Sequence, residues 1–328
     1  MSRPDAALRP EDVDLSTSLA WAPLPHPVLT ASGCAAAGRE LDQYTDVAAI
    51  GGVVTKSIML HPRSGRATPR MAETPSGMLN SIGLQGPGIE AFLEHDLPWL
   101  LQRGARPVVS IAGETVGEYA ELAQRLRNVD GITALEVNIS CPNVADRGLV
   151  FACNAMSAAS VIHAVRRHTN PAVPIFAKLS PDVTDITEIA GSVVNAGADG
   201  VSVINTLLGM VIDTSTMRPA LAGITGGLSG PAIRPVAVRA VYQIRAAFPE
   251  LPILGMGGIA TGNDALEFIL AGANAVSVGT AVFHDPAAVA RVGVELAELL
   301  AARGLASVAE AVSFAHRDSR RGSADTGD

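Results

Sequence analysis

The sequence predicts a closed (β/α)8 barrel of the TIM-barrel class, with long loops at the C-terminal face of its strands. Eight short, apolar, β-rich runs recur along the 328 residues. Helix-like stretches follow these runs. Strands alternating with helices imply a parallel sheet, and eight such units in about 300 residues match a closed barrel. A doubly wound open sheet would alternate in the same way. No Gly-x-Gly-x-x-Gly follows the first run, which counts against a nucleotide-binding fold of that kind.

The runs are "PVLTAS" from Pro27, "GVVTKS" from Gly52, "PVVSIA" from Pro107 and "ALEVNIS" from Ala134, then "PIFAKLS" from Pro174, "GVSVIN" from Gly200, "PILGMG" from Pro252 and "AVSVG" from Ala275. Amphipathic segments such as "TVGEYAELAQRLRN", "MSAASVIHAVRRHT", "DITEIAGSVVNAG" and "NDALEFILAG" lie between them. Thr115, Asp182 or Thr184, and Asn263 or Asp264 are the expected N-caps. Glycines in "AGADG" and "AGANA" are expected at helix C-termini. Two connections are long: residues 58 to about 101 after the second run, and "TLLGMVIDTSTMRPALAGITGGLSGPAIRP" after the sixth. Structured insertions of this length in a compact domain are usually lids or binding loops. One barrel domain is expected over 1–314, with a disordered tail over 315–328.

A chain that is 48% hydrophobic has ample material for a core. The net charge of -8 argues against non-specific nucleic-acid binding, though it leaves room for a local basic pocket. The three cysteines, Cys34, Cys141 and Cys153, form neither a disulfide framework nor a zinc-spaced cluster. No metal is expected. The N-terminal segment is charged where a signal peptide would be apolar, and no apolar run is long enough to span a bilayer. A cytoplasmic location is expected.

The strand ends carry the polar groups Ser32, Lys56, Ser110, Asn138, Lys178, Asn205, Gly257 with Gly258, and Gly279 with Thr280. In a barrel these face one bowl. A buried lysine needs an anionic or strongly accepting partner, and a single one would snorkel to solvent or pair with a core carboxylate. Two converging lysines favour an anionic ligand. Glycine loops after the seventh and eighth strands are a common phosphate site in barrels, so a phosphorylated cofactor such as FMN is expected. "NISCPN" places Cys141 just beyond the fourth run, where a thiol is a small hydrophobe, a metal ligand or a reactive group.

The motifs "PSGMLNSIGLQGPG", "NISCPN", "KLSPDV", "INTLLGMVID", "ITGGLSGPAI" and "GMGGIATGNDALEFILAGANAVSVGTA" resemble class 1 dihydroorotate dehydrogenase. "NTLLGM" and the cysteine place the resemblance nearest the class 1B catalytic subunit. It runs from about Leu15 to Val312. It implies an FMN barrel that oxidises dihydroorotate to orotate in pyrimidine synthesis.

Carried over by motif, Cys141 is the base that removes the C5 proton while hydride leaves C6 for FMN. Lys56, Asn80, Asn143, Asn205 and Thr206 hold the substrate. Asn138 lies between substrate and flavin. Ser81, Ile82, Gly83 and Leu84 supply backbone contacts to the substrate carboxylate. Ala31, Ser32, Lys56, Lys178 and Ile204 line the flavin, and Gly230, Gly257, Gly258, Gly279 and Thr280 cover its ribityl-phosphate end. Departures from the family pattern are Ser110 and Gly86, each where asparagine is expected, and the unusual "FACNAM".

The resemblance also implies a homodimer and a partner subunit carrying FAD and an iron–sulfur cluster, since this chain lacks the cysteines for such a cluster. The alternatives are an FMN oxidoreductase of another pyrimidine, related to dihydropyrimidine dehydrogenase, a non-catalytic barrel that binds a ligand, or an acyl-transfer enzyme using Cys141. No histidine sits in a motif that pairs with that thiol.

Overall fold

The computed structural model describes residues 8–139 and 151–317. Cys141 and Asn143 therefore lie outside the described residues. The eight runs form the eight parallel strands of one sheet: β1 (Val28–Thr30), β2 (Val53–Val54), β3 (Pro107–Ile111), β4 (Ala134–Asn138), β5 (Ile175–Leu179), β6 (Gly200–Val203), β7 (Ile253–Met256) and β8 (Ala275–Val278). Their order is β1-β8-β7-β6-β5-β4-β3-β2. A Leu29–Gly52 bridge joins the two ends and closes the barrel. Thr30 strengthens this seam, since its Oγ1 accepts from the Val54 N–H at 2.9 Å. Close approach at the seam needs glycine. A Cβ on Gly52 would lie 3.3 Å from Leu29 Cδ2 across the seam and 2.7 Å from the Arg106 carbonyl on its β3 side.

Among the described residues, one principal helix follows each of β2 to β8: α1 (Leu97–Gln102), α2 (Val116–Leu126), α3 (Ala155–His168), α4 (Ile186–Asn195), α5 (Arg234–Ala247), α6 (Gly262–Ala271) and α7 (Ala288–Ala301). A 3-10 turn, Leu41–Gln43, stands between β1 and β2. Thr115 caps α2 as expected. Two other caps differ from expectation. Asp185, not Asp182 or Thr184, caps α4 by accepting from the Thr187 N–H. Thr261, not Asn263 or Asp264, caps α6, and Asp264 completes its capping box from the third position. Gly197 and Gly272 take left-handed φ values of 107° and 122° at the ends of α4 and α6.

An N-terminal hairpin, Thr17–Leu19 with Ala22–Leu24, plugs the lower mouth of the barrel. Its Leu19 and Leu24 pack with the inward side chains Leu29, Val54, Val108, Phe176 and Leu254. Each such buried side chain contributes about 1.5–3 kcal/mol. The two long insertions meet over the upper mouth. Strands Met71–Thr74 and Gly77–Asn80 from the first pair with Leu207–Gly209 and Gly226–Ser229 from the second in a four-stranded sheet.

The boundary expected at 315 falls inside a 3-10 turn, Phe314–His316, and His316 stacks on Tyr242 with ring centroids 4.0 Å apart. No helix among the described residues is long and apolar enough to cross a membrane.

Gly52→Ala is expected to destabilise the protein by about 1–3 kcal/mol through overpacking at the seam. Gly86→Ala is expected to change stability by less than about 0.5 kcal/mol, because a Cβ there meets nothing within 4 Å. Urea unfolding followed by circular dichroism measures both. Equal midpoints for the two variants would contradict the account of the seam.

Candidate active site

The apolar floor of the barrel gives way to polar side chains higher up. Strand alternation points Ser110, Glu136, Asn138, Lys178, Ser202 and Ser277 inward, and all six are buried. Register sets Ser110 opposite Glu136, and Lys178 between Asn138 and Ser202. Lys178 Nζ lies 3.6 Å from Glu136 Oε1. Ser110 Oγ donates to the same oxygen at 3.1 Å and sits 2.9 Å from Ser57 Oγ. Asn138 Nδ2 donates to Ser57 Oγ at 2.9 Å, and Ser32 Oγ lies 3.4 Å from it. Ser110 is thus within β3, below the bowl rather than on its rim. Lys178 has a core carboxylate as its partner, the reading the sequence set beside the favoured anionic ligand.

Lys56 is half-buried beyond the end of β2, and its N–H bonds the Ala36 carbonyl at 2.9 Å. Burial pushes the Cys34 thiol up to about 11, and the positive charges of Lys178 and Lys56 both pull it back. Exposed Cys153 lies apart, its thiol raised by partial burial and then by the Asp182 carboxylate.

The insertion sheet brings in amides from distant parts of the chain. Asn80 pairs with Gly227, and its Nδ2 donates to the Gly227 carbonyl at 3.3 Å. Thr206 lies so close against Gly227 that any Cβ there would collide with its hydroxyl. Asn80 and Thr206 therefore flank one glycine. Asn205 follows β6, and its N–H bonds the Leu179 carbonyl at 2.8 Å. Asp182 receives the Leu208 N–H at 3.2 Å and so ties the loop after β6 to the loop after β5.

After Asn80 the chain turns through left-handed Gly83 and Leu84, at φ 78° and 56°. The Ser81 N–H bonds the Arg70 carbonyl at 2.7 Å. The N–H groups of Ile82, Gly83 and Leu84 have no acceptor among the described residues.

The glycine loops lie where expected, although part of the reason is conformational. Gly257, Gly258 and Gly230 have φ values of 129°, 78° and 95°, which disfavour other residues. A Cβ on Gly258 would lie 2.7 Å from the Gly230 carbonyl, and one on Gly230 would lie 2.6 Å from Gly77 Cα. The first turn of α6 is already occupied. Asp264 takes the N–H groups of Ala260 and Thr261, and Glu295 takes that of Gly262. An anion at this end of the barrel is left with the partly exposed backbone at Gly257–Gly258 and at Gly279–Thr280.

Buried Ala31 and Ile204 supply apolar walls nearby. A Cβ on Gly279 would lie 3.3 Å from Ala31 Cβ, and one on Gly257 would lie 3.5 Å from Ile204 Cγ1. Gly86, with open space at its Cβ, gives no steric reason for glycine. Glu136 and Ser57 were not among the expected site residues. A lone glutamate on the inward parity of the apolar run "ALEVN" was the signal for the first.

Apolar walls, a buried lysine and uncovered glycine backbone form a donor set that fits a ring system bearing a phosphate, as FMN does. Fold and site together define a flavin-dependent oxidoreductase barrel. The family model described as dihydroorotate dehydrogenase matches residues 14–300. The chain is 52% identical over 305 residues to the "Dihydroorotate dehydrogenase B (NAD(+)), catalytic subunit" of Desulforudis audaxviator, covering 93% of this chain and 98% of that protein. It is 49% identical over 299 residues to the protein of the same name from Geobacter sulfurreducens, covering 91% and 97%. The chain belongs to the dihydroorotate dehydrogenase family, FMN enzymes that oxidise dihydroorotate in pyrimidine biosynthesis.

In a Cys141→Ser background, a disulfide reagent at pH 8 is expected to label exposed Cys153 rapidly and half-buried Cys34 far more slowly. A thiol with a pKa of about 11 is roughly one part in a thousand thiolate at that pH. Two fast thiols in the folded protein would contradict the placement of Cys34.

Proposed function

We propose that this chain is the catalytic subunit of a class 1B enzyme, with Cys141 as general base and the strand-end amides as the substrate site. The supporting observation is that Asn138 lies opposite Lys178 in register and donates to Ser57, the residue next to Lys56, at the C-terminal strand face, in a chain so similar to the B-type catalytic subunits. Bound FMN would accept the hydride that leaves C6 of dihydroorotate. The chain's own groups do the rest. Cys141, as thiolate, removes the C5 proton. A free thiol has a pKa near 8.5, so nearby positive charge is needed to raise the thiolate fraction at neutral pH.

Asn80, Asn143, Asn205 and Thr206 present alternating donors and acceptors to the ring's C=O and N–H groups. The N–H groups of Ile82, Gly83 and Leu84 meet the substrate carboxylate. The two left-handed residues turn that backbone into an anion-binding nest. Lys56 offsets the charge that builds on the ring as it is oxidised. Ala31, Ser32, Lys178 and Ile204 hold the flavin, with Gly230, Gly257, Gly258, Gly279 and Thr280 at its phosphate end. Electrons then pass to a partner subunit carrying FAD and an iron–sulfur cluster, and on to NAD, with the catalytic chain as a homodimer.

Cys141→Ala is expected to slow anaerobic flavin reduction by dihydroorotate by ~10²–10⁴-fold, the usual contribution of general-base catalysis. Orotate binding should persist. In the unaltered protein the rate rises with pH as the thiol ionises, and Cys141→Ser needs higher pH for the same rate. Stopped-flow reduction from pH 6 to 10 measures this. A Cys141→Ala rate equal to that of the unaltered protein across the range would move the base elsewhere.

Lys56→Ala is expected to slow the same reduction while leaving the unfolding midpoint nearly unchanged. An unaffected rate would remove Lys56 from the site.

A further inference from the structure

We propose that Glu136 is a positioning residue for the reaction: it balances Lys178 and sets the direction of a hydrogen-bond chain that orients Asn138. The inference rests on the flavin site proposed above. Glu136 is wholly buried. A carboxylate in such a place is a poor stabilising device, because desolvation offsets much of the attraction to its partner. Its second oxygen has no partner among the described residues, and neither do Ser202 Oγ and Ser277 Oγ.

The direction of the chain follows from donor counting. An ionised carboxylate only accepts, and a serine hydroxyl donates one hydrogen. Ser110 gives its hydrogen to Glu136 Oε1. In the 2.9 Å Ser57–Ser110 contact, Ser57 must therefore be the donor. Ser57 then has only acceptor capacity left, and it receives Asn138 Nδ2 at 2.9 Å. Every hydrogen along Asn138–Ser57–Ser110 points toward Glu136. The amide of Asn138 is thereby held with its nitrogen toward Ser57 and its oxygen turned away. On the other side, Glu136 Oε1 faces Lys178 Nζ at 3.6 Å and offsets part of its charge. One carboxylate thus governs both the field near the flavin and the orientation of the amide between flavin and substrate. Ser110 is the link between the two roles, and a serine here, where asparagine is expected, supplies the single hydroxyl that the chain requires.

Two variants test this in the FMN-loaded protein. Glu136→Gln keeps the side-chain volume and removes the charge. Lys178 then acts on the flavin without its counter-charge, which favours the reduced form. The expected result is about a tenfold shift toward reduced flavin in a redox titration, equivalent to about +30 mV for a two-electron couple. An unchanged or lowered potential overturns the balancing role.

Ser110→Ala cuts the chain but leaves the ion pair. It is expected to weaken orotate binding about tenfold, read by flavin absorbance titration, with the potential unchanged. Unchanged orotate affinity overturns the orienting role, and this variant decides the matter if Glu136→Gln does not fold. A merely structural role would lower the unfolding midpoint of either variant without moving potential or affinity. Unaltered protein that takes up no FMN would overturn the flavin reading as well. Unaltered protein that binds FMN and is reduced, beside variants that match it, would overturn this inference alone.

Discussion

A carboxylate and an ammonium group enclosed in the same barrel, Glu136 and Lys178, are the constraint around which the upper half of the molecule is arranged. A barrel interior must be filled, and the lower half is filled with Leu29, Val54, Val108, Phe176 and Leu254 under the N-terminal hairpin. Above that floor, an ion cannot be buried without partners. Register supplies them: Ser110 lies across from Glu136, and Lys178 reaches the same carboxylate from the next strand. The hydroxyls of Ser110 and Ser57 then carry the pattern upward to Asn138, at the rim. The polar rim is therefore continuous with the core, and its geometry inherits the core's rigidity.

A second constraint acts from above, through glycine. The two long insertions form one sheet only because backbones touch where side chains would collide. Gly77 meets Gly230, Gly227 accommodates Thr206, and Gly258 lies against the Gly230 carbonyl. These contacts set Asn80 and Thr206 against the same glycine, Gly227, although they are 126 residues apart in the chain. They also bring the loop after β6 to the loop after β7. The glycines commonly associated with phosphate sites thus serve two purposes here, exposing backbone and permitting packing. The N-terminus of α6 is taken up by carboxylates instead, Asp264 from the helix itself and Glu295 from α7.

All eight barrel strands were legible in the sequence, because each is a run of apolar and β-branched residues bounded by proline, glycine or a polar strand end. The insertion sheet was not. Its strands show no clean alternation, with Met71–Thr74 largely exposed, and their pairing joins residues about 150 positions apart. Local patterns carry no information about such partners. Two helix caps were misplaced for a related reason. "SPDVTD" offers three capping side chains within four residues, and the tertiary structure uses Asp182 to hold Leu208, leaving Asp185 for the helix. In the candidate site, Lys56, Lys178, Asn138, Asn205 and the glycines could be placed near strand ends from the apolar runs, whereas Asn80 and Thr206 came only with the family motifs. Glu136 was visible as a charge on the inward parity of an apolar strand, but its partner depended on register between strands, which the sequence does not encode locally. The roles of Cys141 and Asn143 rest on their motif, since both lie outside the described residues.

The most direct test of the central claim is an anaerobic titration of the FMN-loaded protein with dihydroorotate, followed at the oxidised flavin band near the visible absorption maximum. The account predicts that the band bleaches and that one orotate appears for each flavin reduced. A folded, FMN-loaded protein whose band is unmoved by dihydroorotate would contradict it.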